Sequence, residues 1–200
     1  VAESENNPMP APRAQYKRHG SRYKARRRAV DFLYESEARD IDPVALLSDR
    51  VSLAALPASE IAPVNPYTRE IVAGVAEELD RIDSVIASHL SENWELHRIS
   101  AVDRAILRVA VWELIFNEDV PVKTAIKDGI ELASQYSVDD AFAYINGVLD
   151  SIAKNIDELR AFDDPDGHED EHSMGFADAL AEAEAHLTDD ESFDGRDPDD

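Results

Sequence analysis

The sequence predicts an all-α domain. Apolar residues recur at three- and four-residue intervals from Ala29 to Ile156, and no stretch of useful length alternates with a period of two. Helix-starting signals such as Asn65-Pro66 and Ser100 with Asp103 stand immediately before the periodic runs. About six or seven helices with mostly short connections account for the pattern.

The elements follow in order. Residues 1–20 hold Pro8, Pro10, Pro12 and Gly20 and little that could be buried, so they read as a flexible basic arm. A helix begins at Ser21 and ends near Arg39, before Asp40 and Pro43. Val44–Leu56 is a weak helix closed by Pro57. Asn65 is a good N-cap and Pro66 suits a first helical position. Ile71, Val75, Leu79, Ile82, Ile86 and Leu90 then form one stripe, on a single helix or on two joined near Asp80.

Ser100 and Asp103 make a capping-box pair at the head of the helix Ala101–Asn117. That helix is apolar on nearly every side (Ile106, Leu107, Val111, Trp112, Leu114), so it is expected at the centre of the core. Its Arg104 and Arg108 either pair with Asp103 and Glu113 or mark a polar site. Pro121 restarts the chain into Val122–Tyr136. Ser137 and Asp140 repeat the capping arrangement before Asp139–Ile156, where Phe142, Ile145, Leu149, Ile152 and Ile156 predict a buried stripe. Gly147 lies in that helix, and packing against a neighbouring helix is its expected role.

Charge divides the chain further. The net charge of −23 is uneven: residues 163–200 contain sixteen Asp or Glu against one Arg, while residues 1–28 carry +6. Three regions are expected, an arm over 1–20, a helical nucleic-acid-binding domain over 21–160, and an acidic, largely disordered tail over 161–200. Between Arg13 and Arg28 there are eight cations (Arg13, Lys17, Arg18, Arg22, Lys24, Arg26, Arg27 and Arg28) and no acid. The last five occupy the first turns of a helix, where the macrodipole disfavours cations by a few tenths of a kcal/mol each. An anionic ligand is expected there, with a nucleic-acid backbone the leading candidate and a merely solvated basic terminus the alternative.

Several chemistries find no support. The absence of cysteine excludes disulfides and Cys-based zinc sites and fits a reducing cytosol. No apolar run reaches the length of a membrane span, and no signal-peptide core is present, so a cytoplasmic protein without membrane association is expected. His168-Glu169-Asp170-Glu171-His172 spells a zinc-peptidase motif, but it lies in an acidic stretch with no apolar face to bury it. Calcium-loop alignments on Gly167 or Gly195 fail for want of ligands. His19, His89, His97 and His186 are scattered, and no glycine-rich phosphate loop occurs. Neither an enzyme, a cofactor nor a metal site is expected.

Four segments together resemble the NusB family of bacterial transcription antitermination factors. They are Ala25-Arg26-Arg27-Arg28-Ala29-Val30 leading to Leu33-Tyr34; Asp103-Arg104-Ala105-Ile106-Leu107-Arg108 leading to Trp112-Glu113-Leu114; Val120-Pro121 with Ala125-Ile126 and Glu131-Leu132-Ala133; and Tyr144-Ile145-Asn146-Gly147-Val148-Leu149-Asp150. The resemblance spans about Ser21 to Asn155 and implies a fold of two small helical bundles. It also implies binding to single-stranded boxA RNA of ribosomal RNA leaders, with ribosomal protein NusE, within an RNA polymerase antitermination complex. By that likeness Arg22, Lys24, Arg26, Arg27, Arg28 and Tyr144 are candidate RNA-binding residues. Tyr34, Asp103, Glu113 and Asp140 are candidate partner-binding residues.

Lys127-Asp128 departs from the family's common Asn-Glu, and Tyr144 replaces a frequent Phe. A monomer and a homodimer are both compatible with the resemblance. The alternative is a non-catalytic interaction module related to the RNA-binding part of ribosomal RNA cytosine methyltransferases. The acidic tail has no counterpart in the resemblance; it either solubilises the chain or competes with RNA for the basic arm.

Overall fold

The computed structural model describes residues 19–91, 94–138 and 141–161. Among these, eight α-helices occur: α1 Ser21–Arg39, α2 Pro43–Ala55, α3 Pro66–Glu77, α4 Leu79–Ser88, α5 Ala101–Phe116, α6 Val122–Tyr136, α7 Ala141–Lys154 and α8 Ile156–Ala161. A single 3-10 turn, Leu96–Arg98, precedes α5. Helices α1, α2 and α3 pack on one another; α4, α6, α7 and α8 pack around α5, which also contacts α1 and α3. Two small bundles therefore share α5. Its side chains from Ala105 to Ile115 are buried apart from Arg108, as expected for a helix apolar all round.

Local signals place several helix ends. Asp42 accepts from the Ala45 amide at 2.8 Å and Asn65 from the Tyr67 amide at 2.9 Å, each satisfying an otherwise orphaned donor. Asp40 ends α1 in the left-handed region at φ 53°, a conformation that aspartate tolerates better than bulkier residues. The stripe from Ile71 to Leu90 proves to be two helices, broken at Glu78 (φ −101°, ψ 18°). Hydrogen bonds continue on both sides of that break, from Glu78 to Gly74 and from Ile82 to Glu78. The break lets α3 face α1 and α5 while α4 faces α5 and α7.

Three expectations change. The helix expected to reach Ile156 stops at Lys154, and α8 restarts it. Phe142, expected in the core, is exposed, whereas Ile145, Leu149 and Ile152 are fully buried. A Cβ at Gly147 would meet nothing within 4 Å, so no helix packs closely there. Gly74 is where a close approach occurs: a Cβ at that position would lie 2.2 Å from Trp112 Nε1.

Candidate nucleic-acid interface

Helix α1 sorts its cations by angle. Tyr23, Ala25, Arg26, Ala29, Val30, Phe32 and Leu33 are buried, and at 3.6 residues per turn they define the inward half of the helix. Lys24, Arg27 and Arg28 fall within about 100° of one another on the opposite side and are exposed. Lys24 and Arg27 make no ion pair among the described residues, and Arg28 has one long contact, 3.7 Å to Asp31. Arg22 is also exposed, with its guanidinium 4.8 Å from the Tyr67 ring centroid.

Arg26 does not belong with them. Only 2% exposed, it sits on the inward stripe with Ala29, Val30 and Leu33. Its Nε donates to both oxygens of Glu113, at 2.7 and 2.8 Å, and its Nη1 to Asp128 at 3.0 Å. The Tyr67 hydroxyl donates to the same Glu113 carboxylate. Burial works against the Arg26 charge, but the hydrogen bonds and charge of Glu113, then the Tyr67 and Asp128 charges, hold its pKa above the ordinary arginine value. Arg26 is thus a structural cation, out of reach of a phosphate. Glu113, expected at a partner surface, is 0% exposed and serves as the acceptor of this buried cluster. Asp128, one of the two positions that depart from the family pattern, supplies its outer carboxylate.

Asp103 is a further correction. It too was expected at a partner surface, yet it is 4% exposed. The Ser100 hydroxyl accepts from the Asp103 amide at 3.2 Å, so half of the capping box forms. The carboxylate points elsewhere and accepts from the Ser137 hydroxyl and, at 2.6 Å, from the Tyr144 hydroxyl. Ser137 ends α6 instead of capping α7. Burial, then the Asp103 hydrogen bond and charge, push the Tyr144 hydroxyl above its ordinary pKa and keep it a donor.

Fixed in this way, the Tyr144 ring lies 4.9 Å from the ring of Trp94, tilted by 37°. Trp94 is 47% exposed and falls in a loop with no periodicity to single it out. A lone aromatic between Asn93 and Glu95 was its one sequence signal. Val138, Phe142, Tyr136 and Tyr34 are exposed as well. The Tyr136 hydroxyl reaches Asp31 at 3.4 Å, joining the outward face of α1 to the α6–α7 connection beside Tyr144. Tyr34, 47% exposed, lies two turns beyond Arg27 on the same side of α1. Asp140 lies outside the described residues, as do Arg13, Lys17, Arg18 and the His168–His172 motif.

Arg104 and Arg108 bond neither Asp103 nor Glu113. Arg104 bonds Glu37, and Arg108 bonds Asp83 twice at 2.8 Å and Glu37 at 2.9 Å. Burial alone would raise the Glu37 pKa, but the hydrogen bonds and charges of Arg104 and Arg108 bring it below the usual carboxylate value.

The fold and its surface define a small helical protein with a cationic helix face leading to an aromatic pair. The family model described as the NusB family matches residues 23–154, and the chain belongs to that family. It is similar to the transcription antitermination protein NusB of Corynebacterium diphtheriae, at 64% identity over 149 residues, covering 74% of this chain and 82% of that protein. The corresponding protein of Corynebacterium efficiens is 55% identical over 152 residues, covering 76% and 81%. Among solved structures, NusB of T. maritima aligns with a TM-score of 0.57 at 33% identity, over 68% of this chain and 93% of that one. A chain from a complex of antitermination factors NusB and NusE with dsRNA aligns at 0.55 and 29% identity, over 68% and 98%.

Proposed function

We propose that the protein is a transcription antitermination factor that binds boxA-type RNA of ribosomal RNA leaders together with ribosomal protein NusE, without catalysing a reaction. The observation that carries the RNA half is the exposed outward sector of Lys24, Arg27 and Arg28 on the first turns of α1, with a single long contact to an acid among them. Lys24 and Arg27, without an ion pair among the described residues, and Arg28, with only its 3.7 Å contact to Asp31, are accounted for by phosphate contacts. The Trp94–Tyr144 pair supplies the second element of single-strand recognition, a ring face on which an unpaired base stacks. Tyr34, two turns beyond Arg27 on the same side of α1, extends that surface, whereas Arg22 stands on the α3 side of the helix, over Tyr67. In this role the protein acts within an RNA polymerase antitermination complex.

The test is a titration of labelled boxA RNA, and of a same-length RNA with a scrambled sequence, with and without NusE. Preferential binding of boxA, tightened by NusE, is expected. Equal affinity for both RNAs in the presence of NusE overturns the proposal. Light-scattering mass in the same buffer decides between monomer and homodimer.

A further inference from the structure

We infer that the acidic segment 163–200 of this chain docks on the outward cations of α1 and competes there with RNA, a regulation that rests on the proposed function of that face. Charge is the first argument. The segment carries sixteen acids and one Arg, and residues 29–162 are themselves acidic at −14, so most of the domain repels it. Positive charge is concentrated in residues 1–28, and within the described part of that region Lys24 and Arg27 have no ion pair and Arg28 only the 3.7 Å contact to Asp31.

Position is the second argument. The described chain ends with α8 at Ala161. Arg160 anchors that helix by donating from Nε and Nη2 to the Leu114 carbonyl, at 3.0 and 2.8 Å. Arg81 Nη2 holds the Leu159 carbonyl at 2.7 Å. Leu114 directly follows Glu113, the residue that holds Arg26. The start of the acidic segment and the first turns of α1 are therefore fastened to adjacent residues of α5. An α-helix with its side chains is about 10–12 Å across, whereas ten extended residues reach about 33–36 Å. Asp163, Asp164 and Asp166, two to five residues beyond Ala161, reach only about 7–18 Å, whereas Glu169, Asp170, Glu171 and the acids after them can span two helix diameters to the outward side of α1.

Tethering gives the segment an effective concentration on the order of millimolar at the cations, so weak intrinsic attraction suffices to occupy them. RNA held through phosphates alone meets this competition in full. RNA that also makes base contacts retains the affinity those contacts supply. The expected consequence is suppression of non-specific RNA binding more than of boxA binding.

The experiment uses the full chain and a full-length variant in which Asp163, Asp164, Asp166, Glu169, Asp170 and Glu171 become Asn or Gln. Both are titrated with an oligouridine and with boxA RNA. The variant should bind oligouridine about fivefold more tightly at about 0.05 M salt, with the gain shrinking towards unity by about 0.2 M as screening rises. In parallel, carbodiimide coupling of lysine amines to carboxylates is read by mass spectrometry. Intramolecular coupling of Lys24 to the 163–200 segment, lost on adding oligouridine, supports the inference. Equal oligouridine affinity at low salt, or no coupling from Lys24 to the segment, overturns it. Lys24 coupling with no RNA binding by either protein overturns the proposed function and supports the docking.

Discussion

Arg26 Nε grips both oxygens of Glu113, at 2.7 and 2.8 Å, and joins α1 to α5 across 87 positions of sequence. This pair turns one arginine of a basic run into a core residue. It also fixes the roll of α1, and so aims Lys24, Arg27 and Arg28 outward.

Breaking the pair from one side strands a buried charge. Arg26→Met should therefore destabilise the protein by about 3–5 kcal/mol, read as a lower urea midpoint. Arg26→Met combined with Glu113→Leu should cost less than the sum of the two single changes. An additive double mutant would show that the two side chains do not act as a unit.

Lys24, Arg27 and Arg28 changed together to Ala should leave the urea midpoint nearly unchanged, since exposed side chains are removed. The plot of log affinity for boxA RNA against log salt should flatten by roughly 2, from three lost phosphate contacts at about 0.7 each. A slope identical to that of the unmodified protein would place the RNA elsewhere.

Trp94 is exposed and Trp112 is buried, so their fluorescence can be told apart with single replacements. RNA binding should quench Trp94 emission, and Trp94→Ala should cost about 1–3 kcal/mol of boxA affinity if a base stacks on the pair. Tyr144→Phe keeps the ring but removes the donor to Asp103. It should lower stability while retaining most of the RNA affinity, whereas Tyr144→Ala loses both.

Glu37 has a depressed pKa, held down by Arg104 and Arg108 against the effect of burial. The native state releases the Glu37 proton more readily than the unfolded chain, so this group's contribution is complete above the ordinary glutamate pKa of about 4.3. It is lost as pH falls through the lower native value. Glu37→Gln should therefore melt below the unmodified protein at pH 7, with the gap closing on acidification. A gap independent of pH would remove the ion pairs as its cause.

Two glycines in helices should respond in opposite directions. At Gly147 a Cβ meets no neighbouring atom within 4 Å, so Gly147→Ala should stabilise by about 0.5–1 kcal/mol through helix propensity. At Gly74 the new Cβ would lie 2.2 Å from Trp112 Nε1, and Gly74→Ala should lower the melting temperature as the indole is displaced.

By itself the sequence determined what is local. The periodic stripes, the Asn65 cap with Pro66 and the all-round apolar α5 set the helices and the central one among them, because periodicity and capping depend on residues within a few positions. The cationic start of α1 was equally legible. Even the inward place of Arg26 had a signal, its spacing on the stripe of Ala29, Val30 and Leu33, although an arginine among arginines masks it.

Tertiary structure alone decided the partners. Nothing near Arg26 names Glu113, Tyr67 or Asp128; nothing near Asp103 names Tyr144, whose donor turned a capping residue into the anchor of an aromatic pair. Trp94 sits in a loop where no repeat distinguishes core from surface. A buried charge must find its counter-charge wherever the packing of whole helices brings one, and that distance is set by the fold, not by spacing along the chain.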